Sequence, residues 1–211
     1  MFLTTEVRWF GEGDIPRLIR TWFDLCQGEI TGYQIRTDLY LADPGSELLG
    51  IKLREGRLEI KQLTSHYGLV QLHRHVNGLV EQWRKWGFEL GPNQFDPDVA
   101  NLHYPFGIRV QKERQLHSYQ LAPNGLLSSV AQLTGTEDKI ATEDIRRCDV
   151  ELSSIWVDNR RWWSLALEAS GQANSTYEDL LGVFRRLAEM NEPPLLTANT
   201  SFSYPSWLTR L

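Results

Sequence analysis

Along the segments of this chain that read as β-strands, charged residues recur two positions apart: Glu6 with Arg8, Lys52 with Arg54, Glu59 with Lys61, Lys112 with Arg114, and Asp149 with Glu151. Successive side chains on a strand point to opposite faces, so each pair shares one face and its apolar neighbours share the other. An ordinary one-sided sheet shows the same alternation, with its charged face in water. Here at least three segments also have the apolar spacing of amphipathic helices, and such helices can cover the apolar faces of the strands. The charged faces then look at one another across an enclosed space. That space must be wet or filled with ions, because isolated buried charge is prohibitive. The expected fold is α+β, mainly antiparallel β: a closed or nearly closed, tunnel-like β-barrel with flanking amphipathic helices.

Residues 3–10 alternate as a first strand. Asp14 and Pro16 then mark a helix start, and Ile15, Leu18, Ile19, Trp22 and Phe23 make an apolar stripe ending near Gly28. Residues 33–63 read as a three-stranded meander with turns at Asp43-Pro44-Gly45 and Glu55-Gly56. The spacing of Leu72, Val76, Leu79, Val80 and Trp83 predicts a second helix ending near Gly87. Residues 90–105 read as a loop, and 108–121 as one long strand or two shorter ones. Pro123-Asn124-Gly125 marks a turn within a polar region, 122–142, to which no strand is assigned. Strands at 148–157 and 161–169 form a hairpin about Asp158-Asn159. Ser175 and Glu178 open a third helix with the stripe Tyr177, Leu180, Leu181, Phe184 and Leu187. The tail, 193–211, carries enough apolar residues to dock. No repeat or interdomain linker interrupts the chain, so one domain spanning 1–211 is expected.

The 211 residues carry a formal net charge of −5, which argues against a surface built for a nucleic-acid backbone or an anionic membrane; any anion site must be local. Cys26 and Cys148 give neither a disulfide framework nor metal-ligand spacing. With no secretory signal and no run near the roughly 20 apolar residues of a spanning helix, a cytoplasmic location is expected. No nucleophile elbow, phosphate-binding glycine loop or Cys-x-x-Cys pair is present. His73 and His75, placed on the second helix, would face different sides and share no metal. Trp162 and Trp163 should point one in and one out, the inner ring serving as a structural lid in preference to stacking on a ligand base. Arg146, Arg147, Arg160 and Arg161 read as a solvated rim.

In strand order, the chain resembles the CYTH-like, or triphosphate tunnel metalloenzyme, superfamily. The series is Thr4-x-Glu6-x-Arg8, Lys52-x-Arg54, Glu59-x-Lys61, Lys112-x-Arg114, and acidic strands ending at Glu151 and Glu168. The resemblance implies that Lys52, Arg54, Lys61, Lys112 and Arg114 contact a polyphosphate, with Arg8 in place of the family lysine. It also implies that Glu6, Glu151 and Glu168 are candidate ligands for Mg2+ or Mn2+. The implied partner is a polyphosphate-containing small molecule or inorganic polyphosphate, and the implied activity is metal-dependent triphosphate hydrolysis. Thr4 and Ala166 stand where the family has carboxylates, so the metal side is depleted. The alternative is a non-catalytic anion-binding or protein-interaction module on the same fold.

Overall fold

A computed structural model describes residues 2–26, 29–41, 46–91, 107–121, 127–129, 146–171 and 175–211. Its strands are β1 (Phe2–Glu12), β2 (Glu29–Leu41), β3 (Leu49–Arg54), β4 (Arg57–His73), β5 (Val76–Glu89), β6 (Gly107–Leu121), β7 (Leu127–Ser129), β8 (Arg147–Val157) and β9 (Arg160–Gly171). Eight of them close a ring in the order β2-β3-β4-β5-β1-β9-β8-β6, and β6 pairs back onto β2; every pairing is antiparallel. The short β7 lies on β6 outside the ring, within the polar region that had no expected strand. Among the described residues there are three α-helices, α1 (Arg17–Leu25), α2 (Thr176–Met190) and α3 (Tyr204–Leu208).

The larger apolar core lies between the barrel wall and two helices. Val7, Trp9, Val80, Val150, Leu152, Leu165 and Leu167 point outward from the wall and meet Ile19, Trp22 and Phe23 of α1 and Leu180, Val183, Phe184 and Leu187 of α2. The charged faces of the same strands therefore point inward, as the alternation requires. Gly78 lets the wall close tightly, since a Cβ there would stand 2.7 Å from Val7 and 2.8 Å from the Trp9 ring.

A second, smaller core stoppers one end of the barrel. Phe10, Tyr40, Val110, Ile155 and Val157 point inward at that end and are capped by Tyr204, Trp207 and Leu208 of α3. Trp207 stacks on Phe10 at 4.6 Å and meets Trp162 edge-on at 5.7 Å, so Trp162 is the inward ring and braces the stopper. Trp163 points outward, packing where a Cβ on Gly11 would stand. Ser203 caps α3 by accepting from the Ser206 amide, and Pro205 occupies its first turn.

The segment expected as a second helix is instead the β4–β5 hairpin. β4 carries register shifts at Leu63/Ser65, His66/Gly68 and Gln71/His73. Gly68, at φ 79°, sits at one of these shifts. β5 itself is regular but carries apolar residues on both faces, Val76 and Val80 on one and Leu79 and Trp83 on the other, and that spacing imitates a helix. Gly87 ends no helix; it lies within β5 and lines the interior. His73 ends β4 and His75 sits in the two-residue turn that follows, and both come within 4.0 Å of Glu192.

α1 follows Pro16 directly and ends before Gly28. Residues 107–121 form one strand. The Glu55-Gly56 and Asp158-Asn159 turns all take positive φ. Helix α2 follows Ser175, whose side chain makes no capping bond. The Asp43-Pro44-Gly45 and Pro123-Asn124-Gly125 turns and most of the 90–105 loop lie outside the described residues. Among the described residues no helix is long and apolar enough to cross a membrane.

Candidate anion site

The barrel encloses a cavity of about 330 Å³. All nine residues that the family resemblance singles out line it, Arg8, Lys52, Arg54, Lys61, Lys112 and Arg114 with Glu6, Glu151 and Glu168, while Asp149 of the paired charges does not. Arg36, Arg57, Glu59 and Lys85 also line it, giving nine basic side chains against four carboxylates. The chain as a whole carries −5, so positive charge is concentrated in its hollow. The cavity reaches solvent beside Phe2, 53% exposed, and Arg57, whose side chain is 51% exposed.

Two carboxylates organise the cations. Asp38 on β2 is fully buried, on the same inward face of the strand as Arg36 and Tyr40. Lys112, Lys52, Arg54 and Arg36 surround it at 3.1, 3.6, 3.5 and 3.7 Å. Burial would raise its carboxyl, but Lys112, Lys52, Arg36 and Arg54 outweigh that and hold it far below the usual range. Lys112 donates 2.7 Å to the Tyr40 hydroxyl and lies 3.8 Å from the centre of the Tyr204 ring. Burial, with Lys52 and Arg36 adding like charge, pushes Lys112 well below the ordinary lysine value. Lys52 itself is pushed by burial down to about 8.

Glu151 on β8 is the second organiser, accepting from Arg8 at 2.7 Å and from Arg114 at 2.6 Å. Burial opposes its ionisation, yet Arg8 and Arg114 hold its carboxyl well below the usual range. Arg8 also donates to Ser164 at 3.1 Å and lies over the Tyr204 ring. Register explains the alanine at 166: Ala166 pairs with Arg8 on one side and Glu151 on the other. A small side chain there lets the guanidinium reach the carboxylate across the intervening strand. A carboxylate at 166 would lie in that path.

The other acidic residues are matched with lysines. Lys61 donates to Glu6 at 2.8 Å, and Lys85 to Glu168 at 2.5 Å. Burial would raise the Glu6 carboxyl; Lys61, Lys85 and Arg8 instead hold it at about 2. Glu59 accepts from Arg54 at 2.6 Å and pairs with Lys52 at 3.0 Å.

A hard divalent ion needs roughly six oxygen ligands converging at about 2.1–2.5 Å. Glu6, Glu151 and Glu168 share the cavity, but each is engaged by a cation. Among the described residues no group of three His, Cys, Asp or Glu side chains could hold a metal. Thr4, where a further carboxylate is expected by resemblance, is fully buried with its hydroxyl unpartnered. The donor set does not fit Mg2+ or Mn2+.

Sequence reasoning missed Arg36, Asp38, Lys85 and Tyr204. Arg36 and Asp38 carry the same two-residue signature inside the meander and were readable from it. Lys85 was hidden by the helical reading of its segment. Tyr204 comes from the tail, which the pattern could dock but not place. Arg146 and Arg147 pair with Asp179 and Asp149, while Arg160 and Arg161 pair with Glu12 and Asp14, all four at the margins of the barrel.

The fold and site define a class: an antiparallel β-barrel turned inside out, apolar without and cationic within. No protein family and no curated protein matches the sequence. Among solved structures, the chain is similar to the PH1819 protein from Pyrococcus horikoshii OT3 at 13% identity and a TM-score of 0.42, over 97% of this chain and 98% of that one. It is likewise similar to the PH1012 protein of the same organism at 14% identity and a TM-score of 0.41, over 93% of each chain. Neither likeness assigns a family or a function.

Proposed function

We propose that the barrel binds a small molecule bearing a polyphosphate group, or a short inorganic polyphosphate, as a divergent relative of the triphosphate tunnel proteins that its strand motifs resemble. The observation that carries the reading is the excess of inward-facing cations in a chain that is acidic overall. Walls of low dielectric focus that field on the cavity and raise the local concentration of anions. Arginines grip phosphate oxygens in pairs, and lysines act as mobile point charges beside them. Arg8, Arg54 and Arg114 are presented from three strands around the space, with Lys52, Lys61 and Lys112 between them. Binding, and not turnover, is what this arrangement supports, because hydrolysis by the route the resemblance implies needs a metal that the carboxylates do not fit. The two cysteines, buried and unpaired, are compatible with a cytoplasmic setting.

The test is thermal stabilisation by tripolyphosphate, with phosphate release measured in parallel in Mg2+ and Mn2+. A ligand at one hundred times its Kd stabilises by about 2.7 kcal/mol, which is readily seen. The reading expects stabilisation that is lost in Arg8→Met and Arg114→Met and no phosphate release. Absence of stabilisation by any polyphosphate at low salt would sink it, and phosphate release would establish an enzyme instead.

A further inference from the structure

We infer that Lys61 and Lys85 stand where a divalent cation would have to sit, and that anion capture in this barrel is therefore independent of metal. The inference rests on the anion-binding reading above. Its motive is a row of acidic residues in continuous register across four strands: Glu81 on β5 faces Glu6 on β1, Glu6 faces Glu168 on β9, and Glu168 faces Asp149 on β8. Directly paired strand residues are close neighbours, and like charges there repel. A row of this kind persists with cations among its members or with a member protonated, and a divalent ion bridging two or three carboxylates is one way to supply the cations.

The structure supplies them from the chain. Lys61 reaches from β4 to Glu6, and Lys85 reaches from β5 to Glu168. At the ends of the row, burial and the neighbouring Glu6 push the Glu81 carboxyl up, easing its repulsion, and Arg147 holds Asp149 at 2.6 Å. Lys61 is fixed in place, its ammonium 4.1 Å from the centre of the fully buried Trp83 ring. A metal entering between Glu6 and Glu168 would have to displace both ammonium groups or sit against them, and the second arrangement is repulsive. The same ammonium groups line the cavity, so they are already directed at an incoming anion. In this geometry the two lysines both balance the acidic row and receive phosphate oxygens, tasks that a bridging metal would otherwise combine.

Three measurements on the whole chain test this. Mn2+ binding, followed by electron paramagnetic resonance, should show no wild-type site tighter than millimolar; a micromolar site that Glu6→Gln abolishes overturns the inference. The double variant Lys61→Met with Lys85→Met should bind Mn2+ at least tenfold more tightly than wild type. Lys85→Met alone, at the more exposed of the two positions, is the fallback if the double variant does not fold. A folded variant with no gain in Mn2+ affinity also overturns it. Finally, tripolyphosphate should stabilise the wild type equally well in chelator, whereas stabilisation only in the presence of Mg2+ or Mn2+ overturns metal independence. If tripolyphosphate stabilises under neither condition, the anion reading fails and metal-independent capture fails with it. The two Mn2+ measurements would still report separately on whether the lysines hold the cation position.

Discussion

Replacing Glu151 with glutamine separates the two tasks of the interior charges, because one carboxylate restrains two arginines. Arg8 has 5% of its side chain exposed and Arg114 20%, and both point at Glu151 within 2.7 Å. Two unit charges about 4 Å apart at an effective dielectric of about 20 interact by about 4 kcal/mol. Breaking a buried pair by removing one partner costs about 3–5 kcal/mol in measured cases. Arg114 regains part of its hydration through its exposed fifth, and glutamine keeps the shape and one acceptor. The expected loss is therefore near the lower end, about 3 kcal/mol, read as a reduced urea midpoint at unchanged slope. The same substitution releases two guanidinium groups to a ligand, so stabilisation by tripolyphosphate should grow by at least tenfold in apparent affinity, or about 1.4 kcal/mol. A Glu151→Gln protein as stable as the wild type, with no gain in tripolyphosphate affinity, would refute the reading that Glu151 holds Arg8 and Arg114 in place and away from a ligand.

Four further outcomes are expected. Trp207→Ala removes the ring stacked on Phe10 and should cost about 3–5 kcal/mol in denaturant unfolding. Gly78→Ala drives a methyl group toward Val7 and Trp9 and should cost about 1–3 kcal/mol by the same measurement. Lys52 loses its charge as pH rises through about 8, so tripolyphosphate stabilisation should weaken across that range, and Lys52→Met should flatten this part of the profile. Glu6, lowered from 4.5 to about 2, contributes stability that is present above about pH 4.5 and lost as pH falls toward 2. At about 1.4 kcal/mol per pH unit the loss is about 3 kcal/mol, and Glu6→Gln should remove that part of the acid limb.

The barrel was readable because its alternation is simple where the strands are regular. In β1, β3 and β8 no bulge intervenes within the charged pairs, so inward and outward sets follow directly from a period of two. The β4–β5 hairpin defeats the same reasoning, since β5 carries apolar residues on both faces, Val76 and Val80 on one and Leu79 and Trp83 on the other, and so shows no period of two. With it went Lys85, and the acidic row lost the cation that explains Glu168. Asp38 was overlooked for a different reason. A resemblance built on basic pairs draws attention to Lys52, Arg54 and Lys112, while their common counter-ion lies on β2, next to β3 and β6 only in the closed barrel. The meaning of Ala166 likewise needed three strands in register before an apparent loss became room for an ion pair.

With α3 seated in one end, the hollow is a cul-de-sac with respect to that end. A guest cannot leave through that end, so a second molecule arriving behind it cannot push it out there. A phosphate chain longer than the chamber is deep leaves its remainder outside, beside a protein whose overall charge of −5 repels it, and this favours compact guests over long polymers.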